Sequence, residues 1–169
     1  MSIELDVIPG SSQPIRWGDL KGLIHGTAQD RELRDVIGSV INLFDLGSKR
    51  AIREGELLSC PGYYYFEFEQ RTTLLLSVES KVGGEDDVDY LDDFARNLLP
   101  DRKDSVRRVW ELAGYSLTVT SNGGRASGEL KLLAHIAACL ASLTKGYVVV
   151  MDNGVFCQSV GIFTSRELN

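Results

Sequence analysis

The stretch that decides the fold runs from Tyr115 to Gln158 and reads YSLTVTSNGGRASGELKLLAHIAACLASLTKGYVVVMDNGVFCQ. It opens with alternating apolar and polar side chains, which predict a strand with one covered face. Asn122-Gly123-Gly124 then breaks the chain, because glycine accepts positive φ at little cost. A second strand, Tyr147–Met151, follows a long helix. The stretch therefore predicts a strand–helix–strand unit that can form a parallel crossover.

The helix of this unit, predicted from Ser127 to Lys145, is apolar almost all round. Ser127 can cap its first turn, and Lys145-Gly146 supplies a cation and a glycine for a left-handed cap at its end. Its narrow polar line consists of Lys131, His135 and Ser142. A helix with so little polar surface has to be covered on several sides, so we expect it at the centre of the fold.

The rest of the chain divides into further strands and helices. Strands are predicted at Ile3–Ile8, Tyr63–Glu69, Thr72–Glu79 and around Gly161–Phe163, and helices at Ile15–His25, from Asp30 to about Asp45, from Asp86 or Asp87 to Leu98, and at Asp101–Leu112. Ser48–Cys60 alternates weakly, which predicts irregular structure or an edge strand. We therefore expect a single domain, residues 1–169, of the α+β class. It would have an antiparallel or mixed sheet of about six strands, helices packed on one face and one buried central helix.

Composition limits the classes of function. The chain has 169 residues, of which 43% are apolar and 25% charged, as in an ordinary globular protein. It contains no run long enough to span a membrane, and its first residues do not resemble a signal peptide, so we expect a cytoplasmic protein without a membrane partner. The net charge of −6 disfavours nucleic acid and suits a basic protein partner. Solubility alone is the alternative explanation of this charge.

We expect no catalytic, cofactor or metal site. His25 and His135 have no Cys, Asp or Glu at metal-ligand spacing, and the three cysteines lie far apart in the chain. The Gly123–Ser127 loop lies between a strand and a helix, where phosphate groups often bind. It lacks the longer glycine spacing and the Lys-Ser or Lys-Thr pair of a phosphate loop. A small ligand-binding or enzymatic domain that uses this loop and His135 remains the alternative hypothesis.

Two surfaces are candidates for partner binding. Tyr63, Tyr65, Glu67 and Glu69 would share one face of a strand, and aromatic plus acidic residues suit a protein interface if that face is open. If helices cover both faces of the sheet, these tyrosines are core residues instead. The second candidate is an acidic helix start, with Asp86, Asp87, Asp89, Asp92 and Asp93. Its carboxylates would attract a basic partner or simply complement the helix dipole.

The last third of the chain also resembles a known group of proteins. The resemblance follows the order Trp110, Gly114-Tyr115, Gly128-Glu129-Leu130, Leu133-Ala134, Leu140-Ala141 and Gly146-Tyr147-Val148-Val149-Val150. It is similar to small bacterial families, several of which are encoded beside polymorphic toxins and are taken to be immunity proteins. The resemblance implies a cytoplasmic single-domain binder of one cognate toxin and carries over no catalytic residue.

Our leading hypothesis is therefore a non-enzymatic immunity protein whose acidic patch covers a basic cleft of its toxin. Another basic protein would suit the same charge. A structural or regulatory domain of a larger complex is the third hypothesis. The oligomeric state stays open at this point.

Overall fold

One seven-stranded sheet forms the middle of the structure, a computed structural model that describes residues 2–69, 73–81, 91–121, 127–151 and 160–168. Its strands are β1 (Ile3–Ile8), β2 (Ile41–Asp45), β3 (Gly62–Phe68), β4 (Thr73–Ser80), β5 (Tyr115–Ser121), β6 (Tyr147–Val150) and β7 (Gly161–Phe163). The helices are α1 (Trp17–Gly26), α2 (Arg31–Ile37), α3 (Pro100–Leu112), α4 (Ser127–Thr144) and α5 (Ser165–Leu168). A 3₁₀ turn, Ala95–Asn97, precedes α3.

The strand order is β2-β3-β4-β5-β1-β6-β7, and every neighbouring pair is antiparallel. The first strand, β1, lies between β5 and β6. Because β5 and β6 both run antiparallel to β1, they run parallel to each other, and α4 connects them across the sheet. The predicted α+β class is confirmed, and of the two sheet types expected, antiparallel or mixed, the sheet is antiparallel. The predicted crossover spans one intervening strand.

The main core lies between the sheet and a layer formed by α1, α2, α4 and α5. Phe66 of β3 is fully buried and packs against Trp17 of α1, with ring centroids 6.0 Å apart. Helix α4 buries Leu132, Leu133 and Ile136 completely, so the predicted buried central helix is confirmed. Even so, none of the helices in the described part of the chain has both the length and the apolar character needed to cross a membrane.

A smaller layer covers the other face of the sheet at one end. Ile8, Val149 and Ile162 point away from the main core and pack against residues of the 91–99 segment and of α3, among them Val106. The structure thus adds a second helical layer to the predicted one, but only over β1, β6 and β7.

Asn97 of this smaller layer protects the outer edge of β7. Its side-chain amide donates to the Ile162 carbonyl oxygen at 2.9 Å and accepts from the Ile162 N–H at 3.0 Å. Asn97 therefore occupies hydrogen-bonding positions that a further strand would otherwise use.

The segment after Asp30 corrects one prediction. Asp30 caps α2 as expected, since its carboxylate accepts from the Glu32 N–H at 3.1 Å. The predicted continuation of this helix to Asp45 is wrong, because α2 ends at Ile37 and Ile41–Asp45 is strand β2. Gly38 ends the helix with a φ of 66°, which few residues other than glycine adopt. Of the two alternatives for Ser48–Cys60, irregular structure or an edge strand, the structure shows the first, with two isolated bridges to the rest of the fold.

Candidate functional site

The outward-facing side chains of β1 to β5 form a surface that we call the open face. These side chains, where the structure describes them, are exposed or half-buried, whereas most of their neighbours along each strand are buried. Ile8 is the exception, because it packs in the smaller core. The strand register brings one row of the open face together across all five strands: Phe44, Tyr65, Leu75, Thr120 and Glu4.

Aromatic side chains lie at the β2–β3 end of the open face. Tyr65 is half-buried and stacks on Phe44, with ring centroids 4.9 Å apart and planes 10° apart. Tyr63 is 51% exposed. Leu46 donates its backbone N–H to the Tyr63 carbonyl oxygen at 2.8 Å, and its side chain is 47% exposed. These tyrosines are therefore surface residues, and exposed aromatic groups of this kind are typical of protein interfaces.

Carboxylates are spread over the same face of the sheet as this aromatic edge. The open face carries Glu4, Asp6, Glu67 and Glu79, whereas β1 to β5 contain no Lys or Arg. Asp6 accepts a hydrogen bond of 2.7 Å from the hydroxyl of Thr118 on the neighbouring strand. The open face thus carries four carboxylates, and the five strands contribute no positive charge to it. Such a surface attracts a positively charged partner.

Glu69, predicted to share this face, has a different place. It follows the end of β3, and its carboxylate accepts from the Ser39 N–H at 2.7 Å and the Ser39 hydroxyl at 3.0 Å. These hydrogen bonds lower the pKa of Glu69. Glu69 therefore holds the loop between α2 and β2, and the structure brings together only Tyr63, Tyr65 and Glu67 of the predicted strand residues.

The acidic helix start is described only in part. Asp86, Asp87 and Asp89 lie outside the described residues. Asp92 and Asp93 are exposed at the start of the 91–99 segment, and the Asp92 carboxylate accepts from Arg107 of α3 at 3.0 Å. Both side chains of this ion pair are about half exposed, so its contribution to stability is small. Residues 122–126 of the Gly123–Ser127 loop also lie outside the described residues, and Ser127 begins α4.

A groove of about 510 Å³ lies over α4 on the opposite, helical side of the molecule, and we call it the α4 groove. Its lining includes the whole polar line of α4, namely Lys131, His135 and Ser142. Residues of α1, α2 and α5 complete the lining. The sequence indicated the polar line, but its position in a groove depends on helices that are distant in the chain.

His135 and Cys139 in this groove resemble a catalytic pair but are not arranged as one. The Nε2 atom of His135 lies 2.9 Å from the Ile24 carbonyl oxygen, which only accepts, so Nε2 must carry the hydrogen. Nε2 therefore cannot accept a proton from the Cys139 Sγ atom, 3.7 Å away. Burial also raises the pKa of Cys139 to about 11, so its thiol stays protonated at neutral pH. This arrangement does not activate a nucleophile.

Lys131 is engaged by two carboxylates of the α2 start. Its ammonium group donates to Asp30 at 2.9 Å and to Glu32, and these bonds raise the pKa of Lys131. Lys131 is therefore a fixed charge that ties α4 to α2 rather than a general base. Among the residues that the structure describes, no three His, Cys, Asp or Glu side chains converge as a metal site requires.

His135 should make stability dependent on pH. Burial lowers the pKa of His135 below its ordinary value of 6.5. As pH falls below 6.5, the unfolded state takes up a proton that the folded state excludes. The free energy of unfolding should then decrease, by at most about 1.4 kcal/mol per pH unit. Denaturant unfolding between pH 7.5 and about 5 measures this slope.

His135→Gln should remove that part of the slope. An unchanged slope in His135→Gln would contradict the prediction.

Comparison of the chain with protein-family models, with curated proteins and with solved structures gave no match. The function is therefore inferred from the surfaces of the molecule itself.

Proposed function

We propose that the protein is a non-enzymatic immunity protein that binds a basic bacterial toxin with its open face. The observation that carries this proposal is the joint presence of Tyr63, Tyr65 and four carboxylates on strands without Lys or Arg. The resemblance of the last third of the chain to immunity families supports the same function.

The open face has the two chemical properties that such binding needs. Its carboxylates, in a chain of net charge −6, attract a basic surface over distances of about 10 Å and raise the association rate. Its aromatic edge then supplies apolar contact area, and large aromatic side chains provide much of the binding free energy in protein interfaces. Charge therefore brings the partner to the face, and the Phe44–Tyr65 stack holds it there.

Neutralisation would follow from occlusion. Toxins that act on nucleic acid need a basic cleft, because they bind phosphate groups. An acidic face that covers such a cleft excludes the substrate without any chemistry of its own. We place this binding in the cytoplasm, where such a toxin would meet its substrate.

Co-expression with the product of the adjacent gene is the direct experiment. We expect a complex that survives purification and cells that tolerate the otherwise toxic neighbour. A toxic neighbour that neither binds the protein nor is neutralised by it would overturn the proposal. A stable complex with a non-toxic neighbour would instead identify a structural or regulatory domain.

Charge reversal on the open face should weaken the complex. Glu67→Lys is expected to reduce affinity by about tenfold or more, because like charges across an interface repel each other strongly. Asp35→Lys makes the same change of charge on α2, on the opposite side of the sheet, and should have little effect. Association rates at low and high salt, measured by surface plasmon resonance, distinguish the two variants. Equal weakening by both would show that only net charge matters and that the open face is not the binding surface.

A further inference from the structure

The α4 groove has the size of a small-molecule site. Its volume of about 510 Å³ lies within the range of ligand pockets, about 300–1,000 Å³. Small residues of α4, Ala134 and Ala138, lie along it, and Leu23, Leu33 and Leu168 contribute apolar side chains from three other helices. No part of the open face contributes to it. Any ligand of the groove is therefore separate from the partner proposed above.

Polar and charged side chains make up more than half of the lining of the groove. His135, only 4% exposed, donates from Nε2 to Ile24, so its Nδ1 atom is unprotonated and able to accept a hydrogen bond. Ser142 and Ser165 add hydroxyl groups to the lining. A pocket that combines apolar side chains with polar groups, one of them nearly fully buried, suits an organic molecule that has an apolar and a polar part.

The groove has one kind of group that can bind an anion, a guanidinium. Lys131 does not serve, because it is already bound by the carboxylates of both Asp30, at an N–O distance of 2.9 Å, and Glu32. Arg166 of α5 also lines the groove, and it has no ion-pair partner among the residues that the structure describes. A guanidinium group binds carboxylates and sulfonates with paired hydrogen bonds.

We propose that the α4 groove binds a small amphipathic organic anion, with its apolar body against Ala134, Ala138 and Leu168 and its acidic group beside Arg166. The protonated thiol of Cys139 and the fixed tautomer of His135 make this a binding site and not a catalytic one. The ligand class is an aliphatic or aromatic body with a single carboxylate or sulfonate.

Fluorescence titration with 1-anilinonaphthalene-8-sulfonate tests the proposal, because this probe combines an apolar aromatic body with one sulfonate. We expect saturable binding that decanoate displaces well and 1-decanol displaces poorly. Arg166→Ala should weaken the binding of the probe and of decanoate by about tenfold, the usual effect of losing a charge-assisted hydrogen bond. Arg31→Ala is the matched control, since Arg31 is a highly exposed residue of α2.

Ala134→Trp provides a second variant that fills the groove from a half-buried position. It should abolish binding of the probe while the near-ultraviolet circular dichroism stays native. The proposal is overturned if both variants bind the probe like the unmodified protein, or if binding appears only when native packing is lost. It is also overturned if Ala134→Trp instead abolishes self-association of the chain, which would place a second copy in the groove. None of these outcomes depends on the toxin partner.

Discussion

Gly146→Ala is expected to lower the free energy of unfolding by about 3 kcal/mol, the upper end for overpacking in a tight site. Gly146 lies between α4 and β6, directly against the end of β1. A Cβ atom there would overlap the Ile8 carbonyl oxygen and lie 2.9 Å from the Gly10 nitrogen. Both obstacles are backbone atoms, so no side-chain rotation relieves the overlap. Only separation of β1 from the α4–β6 turn would do so.

Gly22→Ala is the matched control for this substitution. Gly22 is an exposed residue of α1, and no atom lies within 4 Å of a Cβ built there. The same added methyl group should therefore stabilise the protein by about 0.8–1 kcal/mol through helix propensity. Thermal unfolding should show a fall of about 6–12 °C for Gly146→Ala and a small rise for Gly22→Ala. A Gly146→Ala protein as stable as the unmodified one would contradict the prediction.

The turn at Gly146 shows what sequence reasoning recovers and what it misses. The glycine after Lys145 correctly predicted the end of α4, and it was interpreted as a left-handed cap. In the structure Lys145 takes the left-handed conformation, with a φ of 55°. Gly146 is needed because β1, which is far away in the chain, passes against it. No local pattern contains that contact.

Strand faces were predictable, because alternation is a local property. The buried and exposed positions of β1, β3, β4 and β5 follow the pattern of their residues. The spacing of apolar residues gave a wrong prediction of helix after Gly38, because the apolar residues there fit a helix and a strand equally well. Pairing of Phe44 with Tyr65 across β2 and β3 settles the strand, and this contact is tertiary. Local spacing alone cannot supply such information.

The candidate sites also contain residues that the sequence could group and residues that it could not. Tyr63, Tyr65 and Glu67 could be grouped from sequence because one strand carries them. Glu4 and Glu79 could not be added, because their place on the same face of the sheet depends on the order and register of the strands. The α4 groove could not be predicted for the same reason, since Leu23, Leu33 and Leu168 come to it from opposite ends of the chain.

Substitutions of two adjacent residues of β3 should affect folding and binding separately. Phe66→Ala is expected to destabilise the protein by about 3–5 kcal/mol, because it leaves a cavity in the main core. Phe66 is fully buried and packs between Trp17 and Phe68, with both ring centroids 6.0 Å away. Its unfolding midpoint in denaturant should fall with little change in the slope of the transition. A loss below about 1 kcal/mol would contradict this assignment of the core.

Tyr65→Ala should weaken binding but leave the protein folded. Tyr65 faces outward and stacks on Phe44, so its removal should cost only about 0.5–1.5 kcal/mol of stability beyond the lost burial of its ring. If the open face binds the toxin, the same substitution should weaken the complex by about thirtyfold, as expected when an aromatic side chain that contributes much of the binding free energy is truncated. Co-expressed toxin would then kill cells that contain a folded Tyr65→Ala protein. Full protection by this variant, at the same protein level as the unmodified protein, would show that the aromatic edge is not part of the binding surface.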